Sequence, residues 1–391
     1  MTQTQKFFVQ CLKFGLNNEK ITALPQDIDY KNLIRLSYRH AVNSIVFYAL
    51  GNLLKDTPKN FQEALTNGAI SQMLIDTTSS YDSLNVINNL EALGIKYMPL
   101  KGYILKDFYP KPEMRYSSDC DILVEPKNLK HVCKMFKQMG YFKHKNDQHH
   151  DVYYNPSTKT VFEIHKKLFV GSLEKHFGIG FDKAYKDENS NYLYKYNAND
   201  FYISIIGHYA YHFDEGAGVG IRAICDIKVI KDHFKEKLDF DYIDKELDKC
   251  GLLTFKNELE QVEKFLFKSD NSASKFTKDL ACYMLSSSLL ENEQNLGANE
   301  LAKVKGKKSK GKALFKKIFP PKENIYYTYS WLKKVKFLLP LGYVIRWFRV
   351  IFKYPKRLLT LKEISSVDNE RINTLKYIKD GLKINGLMNK K

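Results

Sequence analysis

The sequence predicts an α+β protein in which a small mixed sheet lies between N- and C-terminal helical regions. Apolar residues recur at helical spacing up to about residue 93, and this spacing returns from about residue 200. Between these regions lie short strand-sized segments, separated by glycine, proline and one amphipathic helix. The order strand, helix, strand, helix, strand, strand is typical of such a sheet. A hydrophobic content of 44% in 391 residues is sufficient for its core.

This pattern divides the chain into four parts. We expect an N-terminal helical region at 1–93, an α/β core at 94–185, a second helical domain at 186–300, and a basic linker with a helical tail at 301–391. The strands of the core are expected at 95–100, 119–124, 152–154 and 161–168, with the amphipathic helix at 125–141. Helices are expected at 30–54 and 79–93 in the N-terminal region, and later at 200–213, 220–234, 241–267 and 369–384.

The formal net charge of +18 is concentrated in the C-terminal quarter of the chain. Residues 301–391 contain 24 Lys and Arg but 5 Asp and Glu, so the remaining residues are nearly neutral. Such a local excess indicates an anionic partner. Aromatic residues such as Trp331 and Trp347 alternate with these cations. The mixture suits RNA binding, docking on a membrane surface, or a basic helical module whose charges are simply solvated.

Cysteine usage and the N-terminal residues indicate a cytoplasmic protein. The six cysteines form no C-x-x-C pair, which is typical of reduced thiols rather than a disulfide framework. The first residues lack an apolar segment with a cleavage site, so no signal peptide is expected. No uncharged apolar stretch of about 18 residues is present, which predicts no transmembrane helix. The basic tail leaves open a peripheral association with a membrane.

An acidic pair opens one of the predicted strands. Asp119 and Asp121 stand one residue apart ahead of an apolar run, and alternation along a strand directs both to one face. Their mutual repulsion favours a cation between them, and oxygen ligands suit Mg²⁺ or Mn²⁺. Glu163 is the candidate for a third carboxylate from a neighbouring strand. Taken alone, however, two exposed aspartates at a strand end are common without any metal.

A candidate phosphate site precedes this acidic pair. A predicted strand runs into Lys101 and Gly102 and is followed by a short helix. Backbone N–H groups at a helix start can bind phosphate, and glycine permits close approach. Arg115 is a candidate for contact with a bound phosphate or for holding the loop. A surface salt bridge to Glu113 or Asp107 is the simpler interpretation of the same arginine.

Other polar residues near these motifs have less specific interpretations. His165 is expected on the face of the glutamate, where it orients that side chain, contacts substrate or makes a structural hydrogen bond. His208 and His212 share one face of a predicted helix. Their sequence context fits packing near the cleft better than a zinc site. Asp226 is predicted to pair with Arg222, and contact with a base or an acceptor is the alternative.

The motifs together resemble one family. The run LKG…YP…R…SDCDILV…GY…FEIHKKL is similar to the uncharacterised nucleotidyltransferase family of the polymerase-β-like superfamily, closely over residues 93–168 and more loosely beyond. The resemblance implies a small mixed-sheet nucleotidyltransferase core. It also implies transfer of a nucleoside monophosphate from a nucleoside triphosphate to an acceptor. By the same resemblance, Asp119, Asp121 and Glu163 hold Mg²⁺ or Mn²⁺, and Gly102 lies at the triphosphate.

One element departs from the superfamily pattern. The usual glycine element is a hydrophobic residue followed by Gly and then Gly or Ser. Here it reads Leu100-Lys101-Gly102, so a lysine occupies the first glycine position and the serine is missing. This form is the one that the uncharacterised family itself tends to show. It therefore supports the subfamily but leaves the mode of nucleotide binding open.

The sequence leaves the acceptor undefined. A small molecule, a saccharide or a protein fits the resemblance. One alternative is a toxin-type enzyme that modifies RNA or tRNA, in which the basic tail anchors the nucleic acid. A second alternative is a catalytically inactive homologue that only binds nucleotide, although three intact carboxylates argue against it.

Overall fold

The structure is a computed structural model that describes residues 1–117, 119–146, 150–169, 171–215, 218–268, 272–286, 315, 318–353 and 369–384. Most of the predicted lysine-rich linker, at 301–318, lies outside these described residues.

The N-terminal region is helical, as predicted. Thr2 caps its first helix through a reciprocal capping box with Gln5. A single helix was expected across residues 30–54, but it is interrupted near Ala41, whose φ of +52° lies outside the helical region. The next helix begins twenty residues earlier than expected and is 34 residues long. The helices are α1 (Gln3–Leu16), α2 (Tyr30–Arg39), α3 (Asn43–Leu50) and α4 (Lys59–Ala92).

A five-stranded mixed sheet follows, and it confirms the predicted α+β class. Its spatial order is β1-β2-β5-β4-β3, in which only β2 and β5 pair in parallel. The strands are β1 (Tyr97–Pro99), β2 (Cys120–Val124), β3 (Phe142–Asn146), β4 (His150–Tyr154) and β5 (Val161–His165). The helices between them are α5 (Lys101–Leu105) and α6 (Leu129–Gln138). Strand β3 was not predicted, because its sequence FKHKN has no apolar alternation.

The two faces of the sheet bury different sets of residues. Cys120, Ile122 and Val124 of β2 pack with α4 and α6 in one apolar cluster, together with Phe162 and Ile164 of β5. Leu123 faces the opposite side and joins a larger cluster. The alternation predicted for both strands is therefore confirmed. The polar residues Asp121, Glu163 and His165 share the face of Leu123.

Helices cover the rest of that larger cluster. Side chains from α1 and α3 pack there with side chains from the helices that follow the sheet, so the N-terminal region and the later helices share one core. The predicted domain boundaries remain predictions. The later elements are α7 (Ser172–Phe177), β6 (Tyr185–Lys186), β7 (Tyr194–Lys195), α8 (Ala198–Glu215), α9 (Arg222–Phe234), α10 (Phe240–Lys249), α11 (Leu253–Phe267) and α12 (Lys275–Ser286).

The described part of the C-terminal quarter is also helical. Its helices are α13 (Lys322–Thr328), α14 (Leu339–Lys353) and α15 (Asn369–Gly381). Leu382 and Ile384, which follow α15, are buried in the large cluster. None of the described helices combines the length and the apolar content that crossing a bilayer requires.

Candidate active site

The parallel pairing of β2 and β5 brings two predicted site residues together. Asp121 stands opposite Glu163 in the register of the two strands. One ligand atom from each, together with one from His165, fall within 4.8 Å of one another. A hydrophobic alternation on both strands fixes this register, because a one-residue slip would bury the carboxylates in the apolar cluster.

Asp121 is the electrostatic centre of this cluster. Its buried carboxylate lies 2.6 Å from Nε2 of His165 and 3.4 Å from Nζ of Lys101. Burial alone would raise the pKa of Asp121, but Lys101 and His165 outweigh it and hold that pKa below its ordinary value. Asp121 is therefore a carboxylate at neutral pH, ready to ligate a cation or to orient the His165 ring.

Glu163 is the more accessible carboxylate of the cluster. Its Oε2 lies 3.6 Å from Nε2 of His150 and 3.8 Å from Nε2 of His165. The side chain borders a cavity that His150 and His165 also line. Two imidazoles thus flank the carboxylate on the side that faces the cavity.

Asp119 lies one residue outside the strand in which it was expected, and its role as a metal ligand stays a prediction. It lies just before β2, where the hydroxyl of Ser117 is 3.2 Å from its carboxylate and 3.0 Å from its carbonyl oxygen. Burial and the nearby charge of Asp121 raise the pKa of Asp119. Among the described residues, the third potential ligand atom within 4.8 Å of those of Asp121 and Glu163 comes from His165. The sequence signal for His165 was its period-two spacing from Glu163 on the same strand.

The turn between β1 and α5 lies against the acidic cluster. Lys101 adopts φ +40°, a left-handed conformation that favours glycine. Gly102 is required by close packing, since an added Cβ would approach the Ser117 hydroxyl to 2.8 Å. The turn thereby places an ammonium group beside Asp121 and its glycine against the loop that holds Asp119.

Arg115 is buried and makes an ion pair that the sequence did not suggest. Its Nε donates to Asp226 of α9 at 2.7 Å, and the hydroxyls of Tyr109 and Tyr209 also donate to that carboxylate. Asp226 was predicted to pair with Arg222, whose guanidinium instead donates to a loop carbonyl. Burial works against the charged guanidinium, but Asp226 outweighs it and raises the pKa of Arg115. Arg115 therefore ties the loop before β2 to the helical region.

A cavity of about 270 Å³ opens beside Lys101 and the face of Glu163 and His165. Its walls are largely apolar, and His208 and His212 of α8 line it with rings 4.3 Å apart, which confirms that they pack near the cleft. Burial, and next the charge of Lys101, hold the pKa of His208 well below its ordinary value, so the ring is neutral at pH 7. The apolar lining includes Met98, Pro99, Leu100, Ile104, Leu168, Phe169 and Phe201.

The site thus combines two carboxylates on neighbouring strands of a mixed sheet with a lysine from a strand–helix turn. The comparison with known families is more specific. A family model described as uncharacterised nucleotidyltransferase matches residues 26–258, and the chain belongs to that family. The match includes every site residue considered above. No curated protein and no solved structure matches the chain.

Proposed function

We propose that the protein is a metal-dependent nucleotidyltransferase that transfers a nucleoside monophosphate from a nucleoside triphosphate to an acceptor. The observation that carries the proposal is the register of β2 and β5, which sets Asp121 beside Glu163 with His165 in the same cluster. Family membership supports nucleotidyl transfer in general. The metal, the nucleotide and the acceptor are part of the proposal.

The donor set suits a divalent cation. Two carboxylates provide hard oxygen ligands for Mg²⁺ or Mn²⁺, and an imidazole nitrogen is acceptable to Mn²⁺. Asp121 and Glu163 would hold the ion, and Asp119 would contribute from the loop before β2. When bound, such an ion neutralises triphosphate charge and lowers the pKa of the acceptor hydroxyl.

The residues of the chain then have distinct roles. The acceptor oxygen forms a bond to the α-phosphorus, the bond from that phosphorus to the bridging oxygen breaks, and pyrophosphate leaves. Glu163 receives the acceptor proton, since it faces the cavity. Lys101 offers a positive charge to the phosphates, and Gly102 permits their close approach. Arg115 is a positioning residue, because its ion pair with Asp226 fixes the loop that carries Asp119.

The cavity suggests what kind of acceptor group reaches the site. Its volume of about 270 Å³ admits a small molecule or the end of a larger one. The largely apolar walls favour an acceptor portion that is itself largely apolar. A small-molecule acceptor therefore fits this cavity better than an RNA duplex.

The first prediction tests the carboxylates. Mn²⁺ binding is measured by electron paramagnetic resonance with each of the four nucleoside triphosphates, and pyrophosphate release is measured in parallel with a small-molecule extract as acceptor source. We expect D121N and E163Q each to weaken Mn²⁺ binding at least about tenfold and to reduce pyrophosphate release at least about a hundredfold, because each removes an anionic ligand.

The matched control is D232N, which neutralises an exposed aspartate of α9 that pairs with Lys228. It should bind Mn²⁺ and release pyrophosphate like the unmodified protein. If D121N and E163Q bind Mn²⁺ as tightly as D232N, the proposed metal site is wrong. Nucleotide binding by the unmodified protein without any pyrophosphate release would instead support the inactive homologue.

A further inference from the structure

Helix α14 and the turn before it carry an apolar stripe on their exposed surface. Within the described residues, five side chains of the stripe are between 38% and 80% exposed. They recur at intervals of three or four residues and therefore follow one face of the helix. The five are Phe337, Leu341, Val344, Phe348 and Phe352, and Ile351 lies beside them at 48% exposure.

The other side of α14 is occupied by its own neighbours. The Tyr343 hydroxyl donates to the carbonyl of Pro320 at 2.7 Å, and the indole N–H of Trp347 donates to that of Ile318 at 3.0 Å. An added Cβ at Gly342 would lie 2.5 Å from Leu332, a fully buried residue. These contacts fix the rotation of α14, so the apolar stripe points away from the segment on which the helix packs.

The charged residues of this segment are all positive. From Ser330 to Lys353 the sequence contains six Lys and Arg and no Asp or Glu. Lys333, Lys334 and Lys336 are exposed in the turns that precede the helix. An apolar stripe beside cations, without acids, complements a surface that is apolar inside and negatively charged outside.

The composition of the stripe distinguishes lipid from RNA. Single-stranded RNA is held by aromatic platforms on which bases stack. Here Leu341, Val344 and Ile351 alternate with phenylalanines, and aliphatic side chains offer no such platform. A helix of this kind lies in the membrane interface with its apolar face among the acyl chains and its cations at the headgroups.

We propose that α14 and the preceding turn, residues 331–353, dock the protein on an anionic lipid surface. The apolar stripe inserts below the headgroups, and Lys333, Lys334 and Lys336 contact lipid phosphates. This inference concerns where the protein works and does not depend on its catalytic activity. It therefore stands or falls separately from the proposed nucleotidyl transfer.

The second prediction uses the full chain and two kinds of vesicle. The protein is sedimented with two kinds of vesicle. One contains phosphatidylcholine alone, and the other also contains about 30% phosphatidylglycerol, whose headgroup supplies negative surface charge. We expect the protein to bind the anionic vesicles, and this binding should weaken as the salt concentration rises. Binding to the neutral vesicles should be at least about tenfold weaker. F348S/I351S should reduce binding at least about tenfold, since two inserted side chains are lost. K336Q should reduce it by about fivefold.

The control substitution is L74S/L84S, which places the same change on exposed apolar residues of α4. It should sediment like the unmodified protein. The two tryptophans, Trp331 and Trp347, both lie in the docking segment. Trp331 is exposed in the turns before the helix, whereas Trp347 lies on the packed side of α14. The Trp331 part of the fluorescence should therefore shift to the blue with anionic vesicles and be quenched by brominated lipid.

Two results would overturn the proposal. One is equal sedimentation of F348S/I351S and L74S/L84S with anionic vesicles. The other is the absence of vesicle binding together with binding of polyuridylic acid that F348S/I351S weakens, which would assign the segment to RNA.

Discussion

At the residue scale, Lys101 combines a backbone conformation that is typical of glycine with a positively charged side chain. Its φ of +40° suits glycine, and a non-glycine residue in that region costs on the order of 1–3 kcal/mol. Its ammonium group lies 3.4 Å from Asp121 and helps to keep that carboxylate charged. Glycine would adopt this backbone conformation without strain. That a lysine occupies the position beside the acidic cluster therefore supports a functional role for its ammonium group.

The third prediction separates these two properties of Lys101. K101A and K101G both remove the charge, but only K101G relieves the backbone. We expect K101G to be more stable than K101A by about 1 kcal/mol. In an ordinary helical position the order is the reverse. Urea unfolding at pH 7 with a chelator measures the difference. Equal midpoints, or a more stable K101A, would show that the turn is not strained.

The same two variants test the electrostatic role of Lys101. Both should raise the pKa of Asp121, because they remove the charge that opposes burial. Its folded-state pKa is depressed, so Asp121 contributes stability above its unfolded pKa that is lost as the pH falls through the folded value. That contribution should be smaller in both variants.

Individual site residues were predictable to different degrees. The shared sheet face of Asp121 and Glu163 was predictable, because side chains alternate along a strand whatever the rest of the fold. The ion pair of Arg115 with Asp226 was missed, because 111 residues separate the partners and nothing local favours either. Nearby acids such as Glu113 were the obvious alternatives, but Glu113 accepts a hydrogen bond from Tyr48. The predicted contact of Arg115 with nucleotide remains a prediction.

At the element scale, the site depends on how closely α5 approaches the loop before β2. Gly102 is the second residue of that short helix, and Ser117 lies in the loop. The Ser117 hydroxyl lies where it would contact a Cβ atom at position 102, and it also donates a hydrogen bond to the carboxylate of Asp119. A residue larger than glycine at position 102 would therefore push on the acidic loop itself.

The fourth prediction is a double-mutant cycle on this contact. G102A should destabilise the protein by about 1–3 kcal/mol, because its Cβ would displace the serine hydroxyl. S117A should cost about 1 kcal/mol for the lost hydrogen bond. In the double variant the closest clash is absent, so its cost should be less than the sum of the two. Thermal and urea unfolding give the three values, and strict additivity would contradict the close approach.

Elements were predictable where their apolar pattern is strong. The alternation in β2 and β5 and the stripe in α6 led to the correct elements. Strand β3 lacks such a pattern and is defined by its pairing with β4. The interruption near Ala41 was also missed, because a single positive φ leaves the helical spacing on either side intact.

At the scale of the whole molecule, residues distant in sequence complete one core. The family match ends at residue 258, yet Ile378, Leu382 and Ile384 are buried in the large cluster with side chains from α1. Lys379 is buried as well and donates to the carbonyl of Asp214 at 2.7 Å. Sequence periodicity indicated that α15 is a helix but not what it packs against, because that choice depends on long-range contacts.

The fifth prediction follows from this packing. A chain that ends at residue 368 loses α15 and the three buried side chains that anchor it. Each is worth about 1.5–3 kcal/mol when fully buried, and together they approach the total stability of many domains, about 5–15 kcal/mol. We therefore expect this chain to melt far below the full protein, or to lack a cooperative transition. A chain that ends at residue 384 retains all of these contacts and should melt like the full protein. If both truncated chains melt at the same temperature, α15 is an appendage, and the nucleotidyltransferase core is complete without it.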